Sequence, residues 1–222
     1  MSSIIPTIEH ALGPVDLVQA MQFLNVVGLN TGSAGNVSCR VGNQKYLITP
    51  SGVESAELTP ESIVRMPQSA ADSASDLKPS SEAGMHADIY AARPEVYAIA
   101  HTHSPYATAL ACTRKPIPAF HYMVAIAGGD SIHCAPYATF GSKELSDNAV
   151  CALHGRNACL LANHGVLALG ADPLSAAKLA LEIEQLAKQY CIAMQCGEPV
   201  ILDEAQMIEV LEKFKSYGQR VK

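Results

Sequence analysis

The run Val96-Tyr97-Ala98-Ile99-Ala100 leads directly into His101-Thr102-His103. A short apolar run of this kind, closed by a polar cluster, reads as a buried strand. Residues two apart on a strand face the same side, so both imidazoles can reach one metal ion. A third histidine and a carboxylate from elsewhere would complete a catalytic centre that keeps a position for substrate. Such a centre suits metal-assisted carbonyl chemistry. The alternative is that each histidine is an ordinary, satisfied polar side chain. The surroundings weigh against that alternative. Ser104-Pro105 and, further on, Asn163-His164-Gly165 are places where the backbone packs closely. An apolar strand entering a polar cluster is also where α/β enzymes place their chemistry.

The rest of the chain alternates helical and extended patterns. Residues 15–27 carry one apolar stripe of Leu17, Val18, Met21 and Leu24, with Gly28 to close the helix. Residues 37–41 and 45–49 read as two strands joined around Gly42-Asn43, and residues 67–81, rich in Ser, Ala, Asp and Pro, as an exposed loop. Ser81 can cap a helix over residues 82–92, stopped before Arg93-Pro94. A short helix follows Pro105, another covers 143–153, and strands over 158–162 and 166–169 flank Asn163-His164-Gly165. Helices over 173–194 and 204–217 end the chain. Interleaved strands and helices without a repeat predict one α/β layered domain over residues 1–222.

Composition excludes several functions. With 15 basic against 21 acidic residues the net charge is −6, which argues against a nucleic-acid-binding face. No stretch is long and apolar enough to span a bilayer, and Met1 to Pro6 lacks the opening of a secretion signal, so a cytoplasmic location is expected. The 7 cysteines are odd in number and scattered, with no paired spacing that suggests disulfides or a structural zinc knuckle. Charged residues are only 16% of the chain, low enough to suggest further surface buried in an oligomer.

Three small-residue turns remain: Gly32 to Asn36, Pro50 to Gly52 and Pro79 to Ser81. Each offers hydroxyls and open backbone N–H groups. Taken singly they are ordinary turns. Brought together, they could cradle a phosphate, helped by the positive end of the helix that starts near Glu82.

The motifs Gly32-Ser33-Ala34-Gly35-Asn36-Val37-Ser38, Ile48-Thr49-Pro50-Ser51-Gly52, Pro79-Ser80-Ser81-Glu82, His101-Thr102-His103, His121-Tyr122-Met123, Ala135-Pro136-Tyr137-Ala138-Thr139-Phe140-Gly141, Asn163-His164-Gly165 and Leu211 to Gly218 occur in this order. In order and content they resemble the class II aldolase/adducin family over nearly the whole chain. The resemblance implies a central mixed, largely antiparallel sheet flanked by helices. It implies one Zn2+ per subunit, held by His101, His103 and His164, with Glu82 as a resting ligand that then serves as the base. Phosphate would sit against Asn36, Ser51, Gly52, Ser80 and Ser81, with Ser33 nearby. Tyr122 matches the family tyrosine that gives a proton near the aldehyde oxygen, and Tyr217 lies in a motif like the family's mobile tail. For Tyr122 a core position, and for Tyr217 a plain amphipathic helix, stay open. Phe140 could line the aldehyde pocket or fill the core.

The reaction so implied is cleavage of a ketose 1-phosphate to dihydroxyacetone phosphate and an aldehyde. L-fuculose 1-phosphate and a 5-deoxy- or 5-methylthio-pentulose 1-phosphate are the candidate substrates. A sugar-phosphate 4-epimerase or a methylthioribulose-1-phosphate dehydratase of the same superfamily would use the same histidines. An adducin-like interaction module would lack the metal ligands. The family further implies a homotetramer with active sites between subunits.

Overall fold

In a computed structural model, residues 12–42, 45–67 and 77–215 are described. The turn at Asn43, most of the loop over 67–81, and residues 216–217 of the expected last helix, Tyr217 among them, lie outside them. The elements run α1 (Pro14–Val26), β1 (Asn36–Arg40), β2 (Lys45–Ile48), β3 (Val64–Pro67), α2 (Ala83–Ala92), β4 (Ala98–Thr102), α3 (Pro105–Ala111), β5 (His133–Ala135), α4 (Lys143–Ala152), β6 (Ala158–Leu161), β7 (Gly165–Gly170), α5 (Pro173–Cys196) and α6 (Glu204–Phe214). Short 3-10 turns occupy Pro60–Ser62 and Tyr122–Ala127.

The strands form one seven-stranded sheet in the order β3-β2-β1-β4-β7-β6-β5. Every neighbouring pair is antiparallel except β5 and β6, which run parallel. This is the mixed, largely antiparallel sheet that the resemblance implies.

The period-two alternation of the strands divides the core between the two faces. Ile99 of β4 and Leu167 and Leu169 of β7 pack with Ile89 and Tyr90 of α2 and Leu145 of α4. Ala98, Ala100 and Ala168 point the other way, against Leu17 and Met21 of α1 and Ala176 and Ala180 of α5. Alanine on both sides of that contact lets the long helix lie close to the sheet. A third cluster joins Leu110 of α3, Ile132, Leu160 and Val166 to Ile183 and Leu186 of α5.

His101 shares the parity of Ile99, so it emerges on the α2 face. There β4 meets the N-terminus of α2. That end differs from the sequence expectation in one respect. The N-cap is Glu82 rather than Ser81, and no side chain caps it. A turn precedes the helix, with Ala83 N–H donating to the Ser80 carbonyl at 3.0 Å. This shift places the Glu82 carboxylate, instead of a serine hydroxyl, at the junction of α2 and the sheet.

Two further points refine the sequence reading. The strands β3 and β5 were not expected, and they form the two edges of the sheet. All seven cysteines are free. No helix among the described residues is long and apolar enough to cross a membrane.

Candidate active site

His101, His103 and His164 come together from two segments. The first pair closes β4, and His164 sits in the tight turn between β6 and β7, where Leu161 pairs with Gly165. Their ring nitrogens lie within 4.8 Å of one another, a grouping that could hold a metal ion. His101 Nδ1 lies 2.9 Å from the Val166 carbonyl. A carbonyl only accepts, so Nδ1 carries the hydrogen, and Nε2 is the ring nitrogen that faces the cluster. His101 Nε2 and His103 Nε2 are 2.9 Å apart.

Glu82 completes the group. Its Oε2 is 3.1 Å from His101 Nε2, and its Oε1 is 3.3 Å from His164 Nε2. Burial raises the Glu82 carboxyl, but His101, His164, the Asn36 amide and His86 together hold it below the ordinary carboxylate range. Burial, reinforced by His101 and His164, pushes His103 down to about 4. Burial and His101 also lower His164. Neutral imidazoles beside an ionised carboxylate are the donor set a divalent transition ion prefers. Glu82 Oε1 is buried without an aligned hydrogen-bond donor, which leaves a lone pair aimed into the same space. The residues present therefore fit a metal ion.

The neighbours of the cluster are fixed by register. Asn36 of β1 pairs with His101 of β4, and its Nδ2 donates to Glu82 Oε2 at 3.0 Å. Asn30, which the sequence reading passed over, is buried and accepts the His103 backbone N–H at 3.1 Å. Gly35 has φ +72°, and a Cβ there would come within 2.6 Å of the His101 carbonyl and 2.4 Å of the Asn30 side chain. Only glycine lets this turn approach the histidine strand so closely.

Gly165 is constrained by space instead. A Cβ at this position would lie 2.3 Å from the Thr102 carbonyl and 2.9 Å from His103 Cδ2. Gly165→Ala should lower stability by about 1–3 kcal/mol through overpacking, and should weaken metal retention because the displaced atoms belong to the ligand strand. Urea midpoints and metal content of the purified variant check this. Unchanged values of both would overturn it.

Two of the three small-residue turns lie side by side. Ser51 N–H donates to the Lys78 carbonyl at 2.9 Å, Ser80 N–H to the Thr49 carbonyl at 3.2 Å, and Pro50 bridges Pro79. Ser80 Oγ accepts the Glu82 N–H at 3.3 Å, which ties this pair of turns to the cluster. The first turn is anchored separately, with the Gly32 carbonyl accepting from Ser55 and Asn36 reaching Glu82.

A cleft of about 330 Å³ opens onto the cluster. Ser81, Glu82, His103, Asn163 and His164 give it polar lining, and Tyr137, Ala138 and Phe140 give it apolar lining. Phe140 is 66% exposed, so it belongs to the cleft and not to the core. Tyr122 is 48% exposed, at the start of its 3-10 turn, and is not among the residues of this cleft. The remaining expected binding residues, Ser33, Ser51 and Gly52, lie in the anchored turns.

Behind the cluster is a buried polar chain that the sequence reading missed. Ser38 Oγ is 2.6 Å from His86 Nδ1 and 2.8 Å from the Tyr90 hydroxyl. The histidine here, His86, lies on α2. Complete burial pushes it down to about 3, so it stays neutral. Its spacing from Tyr90, one helical turn, was the available signal.

Comparisons with known proteins agree with this geometry. The family profile described as Class II Aldolase and Adducin N-terminal domain matches residues 15–191. A protein of Rhodospirillum rubrum named 5-methylthioribulose-1-phosphate/5-deoxyribulose-1-phosphate aldolase is 52% identical over 202 residues, covering 91% of this chain and 90% of that protein. An L-fuculose phosphate aldolase of Escherichia coli K12 is 43% identical over 196 residues, covering 88% of this chain and 90% of that one. A solved structure of an L-fuculose 1-phosphate aldolase superposes with a TM-score of 0.87 at 42% identity, covering 91% of this chain and 95% of that one.

Proposed function

As the chain belongs to the class II aldolase and adducin family and is an aldehyde-lyase within it, we propose that it is a zinc-dependent aldolase acting on a ketose 1-phosphate. The substrate is L-fuculose 1-phosphate or a related 5-deoxy- or 5-methylthio-pentulose 1-phosphate, and the products are dihydroxyacetone phosphate and an aldehyde. The observation that carries this reading is the grouping of Glu82 with His101, His103 and His164 at a cleft that is polar at Ser81 and Asn163 and apolar at Tyr137, Ala138 and Phe140.

His101, His103 and His164 hold the ion, and Glu82 is its resting fourth ligand. The ion supplies Lewis acidity toward the oxygens of the bound ketose. Glu82 handles the proton on the dihydroxyacetone phosphate carbon that took part in the broken bond. Its Asn36 hydrogen bond keeps the carboxylate oriented for that transfer. The serines and open amides of the anchored turns, Ser33, Ser51, Gly52, Ser80 and Ser81, bind the phosphate together with Asn36. Tyr137, Ala138 and Phe140 shield the aldehyde half from water. Tyr122 acts from an adjacent subunit, giving its phenolic proton to the aldehyde oxygen in the condensation direction. Its exposure and its absence from the cleft of its own chain support that assignment. Tyr217, outside the described residues, is counted with the substrate-binding residues in the same reading.

The test is a panel of ketose 1-phosphates incubated with purified protein, with release of dihydroxyacetone phosphate measured and bound metal identified by elemental analysis. Cleavage of one of the named substrates by zinc-loaded protein is expected. An epimer or a dehydrated product that keeps every carbon, or no reaction across the panel, would overturn the aldolase reading.

A further inference from the structure

Arg114 and Asn163 are the only non-glycine residues with positive φ among the described residues, at 57° and 54°. They come from different segments, the end of the α3 region and the β6–β7 turn, yet they are joined. Arg114 Nε donates to Asn163 Oδ1 at 2.7 Å, and the Asn163 N–H donates to the Ala111 carbonyl at 3.2 Å. Asn163 lines the cleft beside His164, and the Arg114 guanidinium lies 5.8 Å over the ring of Tyr137, another lining residue. Two left-handed residues held to each other at the mouth of a cleft mark a place where local backbone strain is retained for a purpose.

The hydrogen bond from Arg114 settles which way the Asn163 amide points. A guanidinium only donates, so it must meet the carbonyl oxygen of the amide. The Nδ2 group is then left with two N–H donors and no protein acceptor among the described residues. The cleft therefore presents, next to the cluster, a donor group backed by aromatic walls. Resting on the aldolase reading, we infer that Asn163 is a specificity-determining residue for the aldehyde half, favouring one with a hydroxyl oxygen beside its carbonyl carbon. Arg114 is a positioning residue that acts through Asn163. The apolar end of the same aldehyde packs on Tyr137 and Phe140.

The experiment compares condensation of dihydroxyacetone phosphate with 2-hydroxypropanal and with propanal. Parent protein, Asn163→Gly, Arg114→Ala and the double variant are assayed, with bound metal measured in each. Glycine keeps the left-handed backbone while removing the amide. The parent should favour the hydroxyaldehyde in kcat/KM. That preference should fall about three- to tenfold in each single variant, the worth of a neutral hydrogen bond. The double variant should fall no further, because both changes remove one interaction. A general structural defect would lower both aldehydes alike. An unchanged preference in metal-retaining variants, additive effects, or a parent that does not distinguish the two aldehydes would overturn the inference and leave the aldolase reading intact. A parent that condenses neither aldehyde would sink both.

Discussion

His103→Ala is expected to leave the protein folded but without bound metal and without cleavage activity. His103 lies just past the end of β4, so its removal disturbs no ladder hydrogen bond. Its backbone N–H stays anchored on Asn30. What is lost is one of three converging ring nitrogens. Partners that merely orient a metal ligand are commonly worth about 10–100-fold in metal affinity, so a ligand itself is worth at least that. His101→Ala should have the same effect on the metal with a larger loss of stability. His101 is fully buried, and its ring holds the Val166 carbonyl. His133→Ala makes a suitable control, because His133 lies on the edge strand β5 and contacts the Ala152 carbonyl instead of the cluster. Elemental analysis after dialysis, with circular dichroism for fold, reads the result. Full metal occupancy in His103→Ala would refute the assignment of the ligands.

The parts of this site that were legible from the sequence share a physical property. Each depended on local spacing or on a residue type with narrow uses. His101 and His103 follow from strand parity, and the strand itself from an apolar run. Gly165 marks a close approach before any contact is known, whereas Gly35 reads only as part of a small-residue turn until the structure brings it against His101. The helices α1 and α5 were legible from their long apolar stripes, to within a few residues at each end.

What escaped the sequence reading is settled by tertiary contact. The edge strands β3 and β5 have four and three residues, too few for a pattern to emerge. Asn30 and the Ser38–His86–Tyr90 chain acquire meaning only when β1 and α2 are packed together. Arg114 looks like a surface cation until the β6–β7 turn brings Asn163 to it. Asn36 was expected at the phosphate. Its register with His101 puts one amide hydrogen on Glu82, a contact that no spacing along the chain encodes. Phe140 could not be divided between core and cleft by its hydrophobicity, because aromatic side chains serve both.

Glu82→Gln should keep the metal and lose the reaction. The amide retains a carbonyl oxygen for the Asn36 donor, and the three histidines remain, so binding survives. The group that carries the proton does not. General base catalysis is typically worth about 10²–10⁴-fold, or roughly 2.7–5.4 kcal/mol of barrier. Exchange of tritium from labelled dihydroxyacetone phosphate should fall in parallel with cleavage, since both need the same proton transfer. Activity within a few-fold of the parent would rule out the role. The same variant also tests the assembly. Tyr122 is exposed and stands apart from the cleft of its own chain, so Tyr122→Phe should be inactive for a reason located in a neighbouring subunit. Light scattering should then report several times the 23.5 kDa chain mass, as a closed ring of head-to-tail contacts requires. Mixing Glu82→Gln chains with Tyr122→Phe chains should restore part of the activity, because some sites then draw an intact Glu82 from one chain and an intact Tyr122 from the next. A fully active monomer, or mixed assemblies that stay inactive, would show that each site is built within a single chain.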